Sequence, residues 1–425
     1  MIRIYGKNEI KTGEIFKRSI PTRNVSAAVS AIIADVRERG DRALYDYALK
    51  FDSAELDSLE VSAGEINAAY ERTDGEFIRI LRRARDNVTE YHEKQIRRGF
   101  EMKRGDGVIL GQRIVPVDRA GVYVPGGTAA YPSTVIMDTV PAKLAGVGEV
   151  VMMTPPGKDG RIPDAILAAA KLCGVDRVFR SGGAQAIAAL AYGTKTVPAV
   201  DKIVGPGNAY VAEAKRQVSG DVGIDMIAGP SEVLVISDGS TDPRVLAADM
   251  LSQAEHDVSS SAVLITVSQS QAEKVALCLE EQIPLLPRRD IARRSIAENG
   301  RIIVTETVDE AVRISNAIAP EHLELCVEDP FAILDGIKCA GSVFLGGNCP
   351  EPLGDYLAGP NHTLPTGGTA RFSSPLSVDD FVKRIQYSFF TEEALDAYKD
   401  DVAYFAETEG LAAHAKSALI RNEIK

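Results

Sequence analysis

The feature that most restricts this chain is a change of texture near Val108. Upstream, apolar residues recur at helical spacing over 25–51, 62–73 and 74–95, with charged residues on the opposite faces. Downstream, short β-rich runs appear at 113–117, 121–124, 149–153, 177–180, 202–204 and 233–236. Apolar, alanine-rich stretches such as 162–172 and 184–191 separate them. Strands alternating with helices of this length predict βαβ units and a parallel sheet.

A second alternating block follows, with helices over 245–256, 271–279 and 310–318 and strands over 262–267, 301–304, 323–327 and 342–345. No sequence repeat relates the two blocks. From 378 to 415 the pattern reads as helical again. Texture alone puts boundaries near 123, 232 and 377. The division expected is an N-terminal arm over 1–19, a discontinuous α/β domain over 20–123 plus 233–376, a second α/β domain over 124–232, and a helical extension over 377–425.

The 425 residues suffice for two or three domains, and 45% hydrophobic against 25% charged residues is ordinary globular composition. A net charge of −12 argues against a nonspecific hold on nucleic acid, which needs clustered positive charge. The first seven residues lack the apolar region of a signal peptide, and the most apolar stretch, 133–155, is broken by Asp138, Pro141, Lys143 and Glu149. Neither secretion nor membrane insertion is expected. Five cysteines at wide spacings, with no C-x-x-C pair, read as reduced thiols of a cytoplasmic protein.

Four of the five histidines stand in compact polar motifs: Gln253-Ala254-Glu255-His256, Pro320-Glu321-His322, the stretch from Asp355 to Asn361-His362, and Glu409 to His414. The fifth, His92, reads as solvated surface on a charged helix. Imidazole nitrogens with a carboxylate oxygen are donors that an ion such as zinc selects. Gln253 and His256, three apart at a helix end, can point to one place. Glutamate beside histidine, as in Glu321-His322, can divide proton-transfer work; a turn with surface charges is the competing reading. Cys349, in Asn348-Cys349-Pro350, reads as a buried small apolar residue rather than an activated thiolate.

Glycine turns follow three strands: Tyr123-Val124-Pro125-Gly126-Gly127-Thr128, Ser181-Gly182-Gly183-Ala184-Gln185 and Gly205-Pro206-Gly207-Asn208. Each opens a helix, where exposed N–H groups favour phosphate, and each could equally be a tight connection. None is the G-x-G-x-x-G fingerprint. The serine of Gly229-Pro230-Ser231-Glu232 lacks the nucleophile-elbow pattern, so no hydrolase is suggested.

Taken in order from about residue 20 to 420, these motifs resemble those of the histidinol dehydrogenase family. The resemblance implies an α/β fold of two incomplete Rossmann-like parallel-sheet domains with small helical N- and C-terminal units. It implies oxidation of L-histidinol through L-histidinaldehyde to L-histidine with two NAD⁺, the last steps of histidine biosynthesis. One Zn²⁺ per subunit would be held by Gln253, His256, Asp355 and His414. Glu321 would activate water and His322 would act as general base. Ser231, His362 and Glu409 would contact substrate, besides His322 and the metal ligands. Tyr123, Gln185 and Asn208 would contact the nucleotide. A homodimer sharing its active site between subunits is also implied. The alternative is a related zinc and NAD enzyme acting on another small alcohol, such as a sulfonated diol. That anion calls for arginine or lysine where Ser231, His362 and Glu409 stand.

Overall fold

The computed structural model describes residues 2–6, 9, 25–126 and 130–422. Most of the expected N-terminal arm, and Gly127 and Thr128 of the first glycine turn, lie outside the described residues.

The strands, in chain order, are β1 (Arg3–Gly6), β2 (Phe100–Arg104), β3 (Val108–Pro116), β4 (Arg119–Tyr123), β5 (Glu149–Thr154), β6 (Arg177–Arg180) and β7 (Lys202–Val204). They continue as β8 (Gly223–Ile224), β9 (Glu232–Ser237), β10 (Ser261–Thr266), β11 (Arg301–Val304), β12 (His322–Cys326), β13 (Ser342–Leu345) and β14 (Val382–Phe390). The chain divides into two compact units, one comprising 1–95 and 117–381, the other 96–116 and 382–425.

The larger unit holds two all-parallel sheets. One has the order β6-β5-β4-β7-β8, the other β1-β11-β10-β9-β12-β13. Leaving out β1, both run 3-2-1-4-5 in order of appearance, so the same half-Rossmann winding occurs twice. Helices cover both faces of the first sheet, as a parallel sheet requires. Val150 and Met152 of β5 face a core shared with Ile78, Leu81 and Val88. Val151 and Met153 face another core, with Val29, Ile33 and Leu44. The N-terminal helices thus pack on this sheet, and β4 is its central strand. Two of them begin at side-chain caps: Ser62 and Glu65 form a capping box for Ala63–Arg72, and Asp74 caps Gly75–Glu93.

The smaller unit is an antiparallel sheet, β14-β3-β2, with the helices Glu392–Thr408 and Ala412–Leu419. Here the expectation of helix from 378 is corrected. Residues 382–390 pair with β3 from Val382↔Pro116 to Phe390↔Val108. The β-branched and aromatic residues of this segment suit a pleated surface, and the pairing partner lies some 270 positions upstream, beyond any local pattern. Strand β2 and the helix Arg289–Asn299 were likewise not anticipated. Among the described residues, no helix is long and apolar enough to cross a membrane.

Candidate active site

At the amino end of the six-stranded sheet β9 and β12 lie side by side, with His322 opposite Val233. The first residue of each strand, Glu232 and His322, is a buried polar group. The Glu232 N–H donates to Glu321 Oε2 at 2.8 Å, and His322 Nδ1 lies 3.0 Å from the Glu232 carbonyl and 3.0 Å from the Gln253 amide nitrogen. A carbonyl only accepts, whereas an amide can present either end, so the ring proton is assigned to Nδ1. Nε2 then carries the lone pair; it lies 3.7 Å from Glu351 Oε1 and has no hydrogen-bond partner among the described residues. Burial pushes the His322 pKa down to about 4, so the ring is neutral at ordinary pH.

The backbone leading here is strained. Ala319, which ends the helix Val308–Ile318, has φ +54°, a left-handed conformation costly for a residue with a Cβ. The turn delivers Glu321 and His322 into β12, and the Glu321 carbonyl is held by the Ser342 N–H at 2.9 Å. A Cβ on Gly341 would stand 2.5 Å from that same carbonyl oxygen.

Glu321, His322, Gln253, His256, Asp355, Ser231 and His362 all line one cavity of about 510 Å³. Gln253 is buried near the end of the helix Pro243–Ala254, and His256 follows it, exposed. Asp355 lies on the short helix Glu351–Tyr356, and its Oδ1 is 3.6 Å from His362 Nδ1. Burial disfavours a charged His362, but Asp355 outweighs it and the pKa is raised. Burial opposes ionisation of Asp355 too, yet the bond to His362 and the nearby imidazoles lower its pKa. Its neighbour Glu351 is pushed up by burial and by the Asp355 charge, so the proton of that pair sits on Glu351.

An amide, an imidazole and a carboxylate on one cavity wall form the nitrogen and oxygen donor set that zinc accepts, so the residues fit a metal. Glu409 and His414 belong to the smaller unit, where both are exposed: Glu409 ends the helix Glu392–Thr408 and His414 lies on Ala412–Leu419.

A second, larger cavity of about 1030 Å³ crosses the carboxyl ends of the five-stranded sheet. Tyr123, Gln185 and Asn208 line it. Asn208 caps the helix Ala209–Val218, its Oδ1 accepting from Tyr210 and Val211 N–H, which leaves its amide NH₂ as donor. Tyr123 OH accepts from Gly183 N–H at 3.0 Å, and burial keeps the phenol protonated by pushing its pKa to about 12. Gly126 and Asn208 line both cavities, so the two meet at the β4/β7 switch point of the sheet. The Gly205 turn there is clamped: the buried Lys215–Asp225 ion pair holds both its carbonyl and its N–H. Gly205 itself has φ +115°, and a Cβ would stand 2.1 Å from the Tyr123 carbonyl oxygen.

Two readings from the sequence are corrected. His92 is fully buried rather than solvated, with Nδ1 2.7 Å from Gln95 Oε1 and Nε2 3.5 Å from the Asn361 amide. It faces inward on the amphipathic helix Gly75–Glu93 and supports the loop that carries His362. Cys349 is half-buried rather than fully buried; all five cysteines are free thiols. Glu232 and Glu351 were missed. Glu351 had one legible signal, its place four residues before Asp355 on a helix, while Glu232 is joined to the site only through strand pairing.

Comparison with known proteins gives a consistent result. The family model described as histidinol dehydrogenase matches residues 16–422. A histidinol dehydrogenase of Geobacter sulfurreducens is 55% identical over 403 residues, covering 94% of each chain. One of Clostridium acetobutylicum is 51% identical over 415 residues, covering 96% of each. The crystal structure of histidinol dehydrogenase from Elizabethkingia anophelis superposes with a TM-score of 0.94 at 37% identity, over 99% of this chain and 98% of that one.

Proposed function

Since the chain belongs to the histidinol dehydrogenase family, and so is an NAD-dependent oxidoreductase acting on the CH–OH group of histidinol, we propose how its residues divide that reaction. The observation that carries the reading is the junction of the two cavities at Gly126 and Asn208. It lets a nucleotide in one reach a substrate carbon in the other.

Tyr123, Gln185 and Asn208 hold NAD⁺, and Ser231, His362 and Glu409 hold the substrate together with His322 and the metal ligands. Gln253, His256, Asp355 and His414 hold a zinc ion, which when bound supplies a fixed anchor for the nitrogens of the substrate. His322, neutral and with Nε2 unengaged, takes the hydroxyl proton as hydride leaves the alcohol carbon for the first NAD⁺. Glu321, fixed by the Glu232 N–H, takes a proton from water as it adds to the aldehyde carbon. Once His322 has passed its first proton to solvent, the hydrate anion so formed loses hydride to a second NAD⁺ and its remaining hydroxyl proton to His322, giving the carboxylate. Keeping one carbon in place for both transfers is an orientation effect, worth several kcal/mol in general.

We also propose a homodimer in which the smaller unit of each copy brings Glu409 and His414 to the cavity of the other. Phe100, Met102, Phe389, Tyr404 and Phe405 of that unit are exposed, an apolar surface suited to a partner. A cytoplasmic location accords with the free cysteines. The test is NADH formed per L-histidinol, before chelation, after it, and after zinc is restored. Two NADH, lost on chelation and regained with zinc, support the reading; turnover unaffected by thorough chelation would overturn the metal role.

A further inference from the structure

The dinucleotide cavity contains a carboxylate that the reaction does not use. Asp52 lines it, half-buried, and its Oδ2 is buried with no hydrogen-bond partner. Burial alone raises this carboxyl to about 6, with no neighbouring donor to offset it. The local backbone is also unusual. Residues Ala48–Asp52 form a π-helical turn, and Ser53 follows in the left-handed region at φ +55°. Both features recur where structure is bent to serve a ligand. On the same turn Phe51 stacks on Tyr47 at 5.4 Å, half its surface still exposed, and Lys50 Nζ lies 5.1 Å from the Phe51 ring.

The cavity's layout gives this corner a role. Its lining follows the carboxyl ends of β7 (Asn208), β4 (Tyr123), β5 (Pro155 to Lys158) and β6 (Gly182 and Gly183). Strands lie about 4.8 Å apart, so the four ends span roughly 14 Å, enough for an extended dinucleotide. The nicotinamide must sit at the β4/β7 end, where the substrate cavity opens, because hydride transfer needs contact. The adenosine is then left with the β6 side. There the chain just after Asp52 runs along the sheet edge, Arg180 N–H bonding the Leu59 carbonyl at 2.7 Å and Val61 N–H the Val178 carbonyl at 2.9 Å.

We propose that Asp52 accepts hydrogen bonds from the ribose hydroxyls of the adenosine and thereby makes the enzyme select NAD⁺ over NADP⁺. This rests on the assignment of the nucleotide to this cavity. A vicinal diol in the cavity would donate to the edge of the carboxylate that lines it, whereas a 2′-phosphate would place like charges together.

The experiment is steady-state kinetics with NAD⁺, NADP⁺ and nicotinamide mononucleotide at saturating histidinol, for the wild-type protein, Asp52→Ala and Asp52→Asn. For Asp52→Ala the expected result is a KM for NAD⁺ raised roughly 10- to 100-fold, the scale of a hydrogen bond to a charged group, with kcat unchanged. Turnover of the mononucleotide, which has no adenosine, should not move. Asp52→Asn keeps an acceptor without the charge, so it should hold KM for NAD⁺ within several-fold while narrowing the preference over NADP⁺ at least tenfold. An unchanged preference in Asp52→Asn, or a mononucleotide reaction impaired as much as the NAD⁺ one, would overturn the proposal. Gln185→Ala separates the two levels. If it leaves KM for NAD⁺ unchanged, the cavity assignment is wrong; if it raises KM while the Asp52 variants do not, only the role of Asp52 fails.

Discussion

The two parallel sheets share a winding order but put opposite ends to work. In the five-stranded sheet the carboxyl ends of β4 and β7 open into the larger cavity, the one proposed to take the dinucleotide. In the six-stranded sheet the corresponding strands, β9 and β12, contribute their amino ends, which carry Glu232 and His322. The difference lies in what fills the switch point. The turns after β4, β6 and β7 line the larger cavity through Gly126, Gly182, Gly183 and Asn208. After β9 and β12 the space is taken by side chains: Thr241 Oγ1 bonds the Cys326 carbonyl, Gln271 bonds the Thr241 carbonyl and the Thr266 hydroxyl, and Asp238 accepts from Glu328 N–H. A winding order offers a crevice, and the residues at its mouth decide whether a ligand can enter.

The strongest way to break this contrast is at the amino end of β12. His322→Gln should lower kcat by about 10²–10⁴, the usual worth of a general base, with little change in KM for NAD⁺, measured by initial rates. A loss under tenfold would remove His322 from proton transfer.

Next come matched glycines in the two sheets. Gly205 and Gly239 both have positive φ, +115° and +97°, but only Gly205 lines a cavity, the smaller one, beside Asn208, which lines both. Gly205→Ala meets the Tyr123 carbonyl and should raise KM for NAD⁺ at least tenfold, by displacing Asn208. Gly239→Ala should leave kinetics unchanged and cost about 1 kcal/mol of stability in denaturant titration. Equal kinetic effects at both would erase the functional difference between the sheets.

The smallest effect concerns pH. Burial raises the Asp138 carboxyl to about 7, against 3.8 for the free side chain. The folded state therefore binds the proton more tightly, and this group's contribution to stability falls as pH rises from about 4 to about 7. Asp138→Asn, which can still accept from the Thr363 hydroxyl, should lessen that fall, read as melting temperature against pH beside the wild type. Parallel profiles would contradict the shift.

Most strands and helices of the larger unit were legible in the sequence, because βαβ units write their periodicity locally and their strands are continuous apolar runs such as Glu149–Thr154. The duplicated winding was not, since it lies in strand order rather than in residue identity. Long-range pairing was equally hidden: β14 reads as helix until β3 is set beside it. Compact motifs singled out Gln253, His256, Glu321 and His322, which line one cavity; their roles there are the reading proposed above. Glu232 and His92 were not legible, because what defines them is burial against segments distant in the chain.

The division of labour between Glu321 and His322 is tested most directly by offering Glu321→Gln the alcohol and the aldehyde separately and following NADH in single turnovers. The account predicts that the alcohol is oxidised to aldehyde at close to the wild-type rate, while oxidation of the aldehyde to acid slows by a factor of about 10² or more. Equal slowing of both half-reactions, or of the alcohol alone, would contradict it.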